Sequence, residues 1–366
     1  MRVLVGFLGA VLIALNLAEF FVTLLLPRRV KRGVRLARRA FVMTWVPVRA
    51  LARRLPGPTG DTMLGIYGPI GFLLILVLWT GGLMLGFAML HWAGGSHVLV
   101  HGKGTFLDDL YFSAGAFLSD TTAVAPGSPF AKVLMLAEAA TGFGVLFIVI
   151  GYLPALYQAF SRREVVVSQL DPRAGSPPTA GMLLIRSAER GGWDEIATYL
   201  DEWDNWAAEL METHLSYPIL AYYRSQHVNQ NWLAALTTVL DTSAFAMAAA
   251  TGPAAHAGEL CFAIGRHALA DLAYAFKAQP TPPPVDRLPP ERLSELCGEL
   301  ALRDLSLPDE GAIRERLDEL RETYEPYANA LSRHLELPLP VWMPSEDVQH
   351  NWREALWHGS RVRSLP

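Results

Sequence analysis

Residues 110–144 read LYFSAGAFLSDTTAVAPGSPFAKVLMLAEAATGFG, and the fold turns on this stretch. With the preceding Phe106–Asp109 it opens as a short amphipathic helix over Phe106–Leu118, continues into the polar run Ser119-Asp-Thr-Thr122, and then enters a long apolar segment. Phe106–Leu118 is about 13 residues, close to 20 Å at helical rise, which enters a bilayer without crossing it. Non-helical backbone at membrane depth is tolerated only when buried in protein or lining a watery cavity, and the polar run suits such a cavity.

Working outward, three segments qualify as membrane spans: Val3–Leu26, Met63–Leu90 and Phe130–Tyr157. Each supplies at least the roughly 20 apolar residues that a spanning helix needs. The apolar run of the first exceeds the roughly 7–15 residues of a signal-peptide core and shows no small-residue cleavage site, so a retained span is expected. Between the first two spans, Arg28, Arg29, Lys31, Arg32, Arg35, Arg38, Arg39, Arg49, Arg53 and Arg54 stand with no acid among them. Such an excess marks a cytoplasmic loop, which places the amino terminus outside and the segment after the third span inside. Val34, Leu36, Phe41, Val42, Trp45, Val48 and Leu51 are spaced in a loosely helical way through this basic loop, so it is expected to lie along the anionic inner leaflet. Membrane lipid is the partner expected there, and nucleic acid is not.

The 366 residues are 51% hydrophobic, with mean hydropathy +0.23. That is too apolar for an ordinary soluble protein and too charged for a purely membrane one. Residues 1–160 hold 13 Lys and Arg against 6 Asp and Glu, whereas residues 161–366 hold 18 against 29. A basic membrane part followed by an acidic, water-soluble part accounts for the asymmetry. Cys261 and Cys297 form no spaced cluster, so neither a disulfide framework nor a zinc site is expected.

In the second half, Val165–Leu170 reads as a short β-like connector and Asp171–Pro178 as a turn-rich linker, giving a boundary segment over 161–178. Helical periodicity follows over about 179–190, 193–213, 229–250, 254–277, 291–304, 310–336 and 346–358. Gln279–Pro290 is proline-rich and either splits this domain or skirts its surface. Trp232–Ala250 and Leu260–Phe276 are nearly as apolar as spans, but Asp241, Arg266, His267 and Asp271 interrupt them, which favours a buried hairpin. Ile313, Leu317, Leu320, Tyr324 and Tyr327 form an apolar seam on the 310–336 helix, with a kink expected at Pro326.

The pore-like segment carries its own electrostatics. Asp108 and Asp109 lie in the first turn of the short helix, where the dipole favours carboxylates, and its carboxyl end would offer negative potential to a cation. Tyr111-Phe-Ser113, Pro126-Gly-Ser-Pro129-Phe-Ala-Lys132, Glu138-Ala139 and Gly142/Gly144 together resemble the pore of the two-span potassium channel family. Gly151-Tyr-Leu-Pro154, Tyr157-Gln-Ala-Phe-Ser-Arg-Arg-Glu164 and Gly175-Ser-Pro-Pro178 are similar to a bacterial subgroup of that family with a helical cytoplasmic domain after the pore. The resemblance implies an all-α fold: a first span with its basic segment (1–62), a pore domain (63–160) with a re-entrant loop, and a helical cytoplasmic regulatory domain (179–366). It implies a homotetramer in the cell (inner) membrane that passes monovalent cations, potassium or sodium, with divalent cations as a further candidate. It also assigns the pore-helix positions to Asp109, Tyr111, Phe112 and Ser113.

The filter departs from the family's Thr-x-Gly-(Tyr/Phe)-Gly-Asp. Its positions fall on Ser119, Asp120, Thr121, Thr122 and Ala123, with no glycine to reach the φ > 0 values that aim successive carbonyls at an axis. Under fourfold symmetry Asp120 would instead form a ring of four carboxylates, attracting cations with little discrimination. The other reading is a closed, sensor-like loop in which Asp120 caps a turn. On the third span, Glu138 is an intramembrane acid expected to face protein, supporting the loop or pairing with a pore-helix donor, or to act as a gating proton acceptor. Gly142 and Gly144 fit either an inner-helix bend or close helix packing.

No phosphate loop, dinucleotide fingerprint or nucleophile elbow occurs, so neither an enzyme nor a cofactor is expected. The histidines lack metal-ligand spacing. The densest polar and aromatic cluster, around His214, Tyr223, Arg224 and His227, suits a ligand pocket or, more weakly, an active site; a plain helix junction explains it as well.

Overall fold

The computed structural model describes residues 1–25, 36–95, 105–119, 127–226 and 229–344. Among these the chain is all-helical, with no strand. It divides into two compact units, Met1–Tyr157 and Gln158–Pro366.

In the first unit, α1 (Arg2–Phe20, with a π-turn to Leu25) packs along α3 (Gly57–Ala93). Small residues let the two backbones approach. A Cβ on Gly9 would meet the Gly86 carbonyl at 2.7 Å, and one on Gly82 would meet the Asn16 amide at 2.8 Å. Gly82 and Gly86 are four apart on one face of α3, the spacing by which membrane helices bring backbones together. Phe20, Trp79, Leu83, Phe117 and Val145 form the core of this unit, with Phe20 edge-on to Trp79 at 5.2 Å.

Helix α2 (Leu36–Ala52) lies on α3 through Tyr67, whose ring meets Phe41 at 4.9 Å and Trp45 at 4.8 Å, and whose hydroxyl donates to the Phe41 carbonyl at 2.6 Å. The interfacial helix expected in the basic segment is therefore present as a helix. Val3, Phe7, Leu73, Val77, Val133, Leu136 and Phe147 point outward from α1, α3 and α5 (Pro129–Ala174). Apolar exposure on that scale suits lipid or a partner, not water. Arg2–Leu24, Thr59–Ala93 and Pro129–Ala174 are each long and apolar enough to cross a membrane, and this marks the chain as a membrane protein.

One expectation is corrected along α5. Val165–Leu170 is helical, as is all of 161–174, so the non-helical link shrinks to the few residues after Ala174. Val167, Leu170 and Ala174 fall three and four apart on one buried face, and this packing overrides the weak strand preference of three consecutive valines.

The second unit holds α6 (Ala180–Ala188), α7 (Trp193–Ser216), α8 (Trp232–Ala249), α9 (Pro253–Phe276), α10 (Pro290–Ala301) and α11 (Glu310–Leu335). Helix α8 also passes as a span by length and composition, but 89% of it is buried within the unit, as expected of a core helix. It tolerates that burial because Thr237, Thr242 and Ser243 donate to carbonyls one turn back and Asn231 caps its start. Asp241 is satisfied by Tyr324 at 2.5 Å and by a two-pronged contact from Arg287, which also reaches Glu325 at 3.0 Å. Burial and the Asp241 charge drive the Tyr324 phenol well above its usual range.

The proline-rich segment skirts α11: the Thr281 amide donates to the Pro326 carbonyl and Asn329 donates to the Thr281 and Pro282 carbonyls. Helix α11 runs unbroken through Pro326. Its seam passes from Tyr324 to Ala328 and Leu331, leaving Tyr327 half-buried. The helix expected at 346–358 lies outside the described residues.

Candidate functional site

The short helix of the opening stretch is α4, Phe106–Phe117, 12 residues long. Thr105 starts it with a reciprocal capping box. Its hydroxyl accepts from the Asp108 amide at 3.3 Å, and the Asp108 carboxylate accepts from the Thr105 amide at 2.8 Å. At about 18 Å the helix is shorter than the roughly 30 Å hydrocarbon core.

Its faces are sorted in an unusual way. Leu107, Tyr111 and Leu118 point outward, Tyr111 at 74% exposure, while Asp109, Phe112, Ser113, Ala116 and Phe117 are buried. Two polar side chains thus sit on the packed face, one turn apart. The inward position of Ser113 is explained by what meets it. Its Oγ is 2.7 Å from the Met84 carbonyl on α3 and in short contact with Oε1 of Glu138 on α5. Oε2 of Glu138 lies 3.5 Å from Nε2 of His91, near the end of α3, and the His91 ring stands edge-on to Phe112 at 5.0 Å. Glu138 is fully buried and His91 nearly so.

Three helices therefore converge on one carboxylate, one imidazole and one hydroxyl. The hydroxyl has one proton for two acceptors, so it ties α4 to α3 or to α5, and to both when Glu138 itself carries a proton. A half-satisfied polar cluster in dry surroundings is costly, so the contacts among these groups matter to how the three helices pack. As expected, Glu138 faces protein, and the donor it meets is Ser113 of α4. His91 was not anticipated. It stands one residue past the apolar run Met63–Leu90, and an ionisable residue at the edge of such a run is the signal that marks it.

Gly142 sits under the carboxyl end of α4, where a Cβ would lie 2.1 Å from the Phe117 carbonyl oxygen; a Cβ on Gly144 would meet nothing within 4 Å. Gly142 is thus a packing glycine. Ser119 follows α4 with φ +61, and the remaining filter-equivalent positions, Asp120, Thr121, Thr122 and Ala123, lie outside the described residues.

In the second unit the polar and aromatic cluster is committed to holding the segment between α7 and α8. Arg163 donates to the carbonyls of Leu220 and Tyr223, both at 2.9 Å, and its Nη1 lies 3.3 Å from Nε2 of His214. A guanidinium only donates, so Nε2 accepts and Nδ1 carries the proton given to the Leu210 carbonyl at 2.8 Å. Burial, and then the Arg163 charge, push His214 down to about 3, so it is neutral. Arg224 donates to the Leu335 carbonyl at 3.0 Å, and Tyr223 packs on Phe160. His227 lies outside the described residues. The geometry described is that of a helix junction.

Among the described residues, the fold and the buried cluster are those of an all-helical membrane protein in which a 12-residue helix is clasped between two long apolar ones. No family model, curated protein or solved structure matches this chain.

Proposed function

We propose that the first unit is a pore-forming module for cations, four copies surrounding one axis, with the second unit acting as its cytoplasmic regulator. One observation carries this reading: α4 is too short to span, yet its Ser113 is clasped by Met84 and Glu138 of the flanking spans. Holding a half-length helix at that depth is useful when its carboxyl end points at ions. Outward Leu107, Tyr111 and Leu118 supply an apolar face for neighbouring subunits. Without filter glycines the pore would select weakly among monovalent cations, with Asp120 as the ring residue.

The missing glycines also favour a second reading, a non-conducting membrane sensor. Rubidium, sodium and calcium flux through the purified protein in liposomes separates the two. Flux altered by Asp120→Asn supports the cation pore. Silence under all conditions favours the sensor, and strong retained preference for potassium refutes the weak-selectivity claim. Cross-linking in the membrane to a tetramer, against a monomer or dimer, tests the fourfold axis.

A further inference from the structure

Residues 161–366 are acidic overall, with 18 basic against 29 acidic side chains. Against that balance, a cleft between the end of α5, the end of α6 and the start of α7 is lined by three arginines, Arg173, Arg186 and Arg190, and by a single carboxylate, Glu195. Two of the guanidiniums are held in place. Arg173 donates to the Gln169 carbonyl at 2.9 Å and lies 4.8 Å from the centre of the Tyr199 ring, and Arg186 donates to the Pro172 carbonyl at 2.6 Å. Glu195 accepts from the Tyr199 hydroxyl at 2.6 Å. Ser187 also lines the cleft; its side chain is 2% exposed and its hydroxyl has no hydrogen-bond partner among the described residues.

Arg173 and Arg186 each stand in the last turn of a helix, where the dipole alone welcomes a cation. That accounts for neither Arg190, which lies beyond α6, nor the orphaned buried hydroxyl, since a buried polar group left unpaired costs free energy. We propose that this cleft binds a phosphate-class oxyanion, gripped by the three guanidiniums and accepting a hydrogen bond from Ser187. Planar, pre-held guanidiniums suit phosphate oxygens. The inference goes beyond the pore reading and does not depend on it: a silent pore leaves the cleft intact.

Isothermal titration of the full-length protein in detergent with inorganic phosphate and pyrophosphate, at ionic strength fixed with chloride, tests it. Saturable binding is expected. Arg173→Gln with Arg190→Gln should weaken it by about tenfold or more, since hydrogen bonds to charged groups are the stronger ones. Ser187→Ala should weaken binding with the melting temperature retained, and Arg316→Gln, on exposed α11 surface, should leave it unchanged. Repeating the titration in nanodiscs with and without phosphatidic acid distinguishes the sources. Loss of pyrophosphate binding in the acidic lipid identifies a lipid phosphate, and unchanged binding identifies a free one. Absence of saturation with both anions, or wild-type binding by both the double variant and Ser187→Ala, overturns the proposal.

Discussion

Gly142 and Gly144 are two residues apart on one helix, and the same substitution should act on them in opposite directions. A methyl at Gly142 would lie 2.1 Å from the Phe117 carbonyl oxygen, while one at Gly144 has nothing within 4 Å. The obstacle at Gly142 is backbone, so no rotamer change relieves it, and α4 must shift off α5. Overpacking costs about 1–3 kcal/mol, and a backbone clash this close belongs at the upper end. Alanine recovers about 1 kcal/mol of helix propensity at either site. Gly142→Ala should therefore destabilise by about 2 kcal/mol, and Gly144→Ala should stabilise by up to about 1 kcal/mol. For a unit of this size each kcal/mol moves the melting temperature by about 2–4 °C, so Gly142→Ala should melt about 4–8 °C below wild type. Thermal unfolding in detergent, followed by tryptophan emission, reads both. A Gly142→Ala protein as stable as Gly144→Ala would refute the packing role of Gly142 and the seating of α4 on α5.

Glu138→Ala should destabilise the first unit more than Glu138→Gln, by about 1–3 kcal/mol, because the amide still meets Ser113 and His91 whereas alanine leaves both buried and unmatched; paired melts of the two variants check the order. His214 makes acid stability predictable. Its folded value near 3 lies below its ordinary 6.5, so the unfolded chain takes the proton first. The stability contribution is complete above pH 6.5 and is lost as pH falls toward 3, amounting to about 2 kcal/mol by pH 5. His214→Gln should flatten that part of a denaturant-midpoint against pH curve. Asp241→Ala should cost about 3 kcal/mol, the low end for a broken buried ion pair, because Arg287 keeps Glu325 while the Tyr324 hydroxyl loses its acceptor; adding Arg287→Met should recover part of the loss in a double-mutant cycle.

Membrane spans, the half-length helix and most helices of the second unit were legible in the sequence because hydropathy and 3.6-residue periodicity are local properties. So was the inward direction of Glu138, since an ionised or polar side chain in an apolar span avoids lipid. Val165–Leu170 misled because three valines favour a strand locally, whereas Val167 and Leu170 are buried on one helical face, a matter of distant neighbours. Asp241 looked like an interruption of α8. Its partners, Arg287 and Tyr324, are 46 and 83 residues away.

The linear chain by itself determined what kind of protein this is: a helical membrane protein whose long apolar helices lie in its basic front part, with a short helix between two of them. Only the tertiary structure decided that Ser113, His91 and Glu138 share one buried junction, that Gly142 seats α4 while Gly144 does not, and that three arginines line one cleft of an acidic unit. Apolar periodicity is written residue by residue, but pairing of buried polar groups depends on which helices pack together, and no local pattern encodes that.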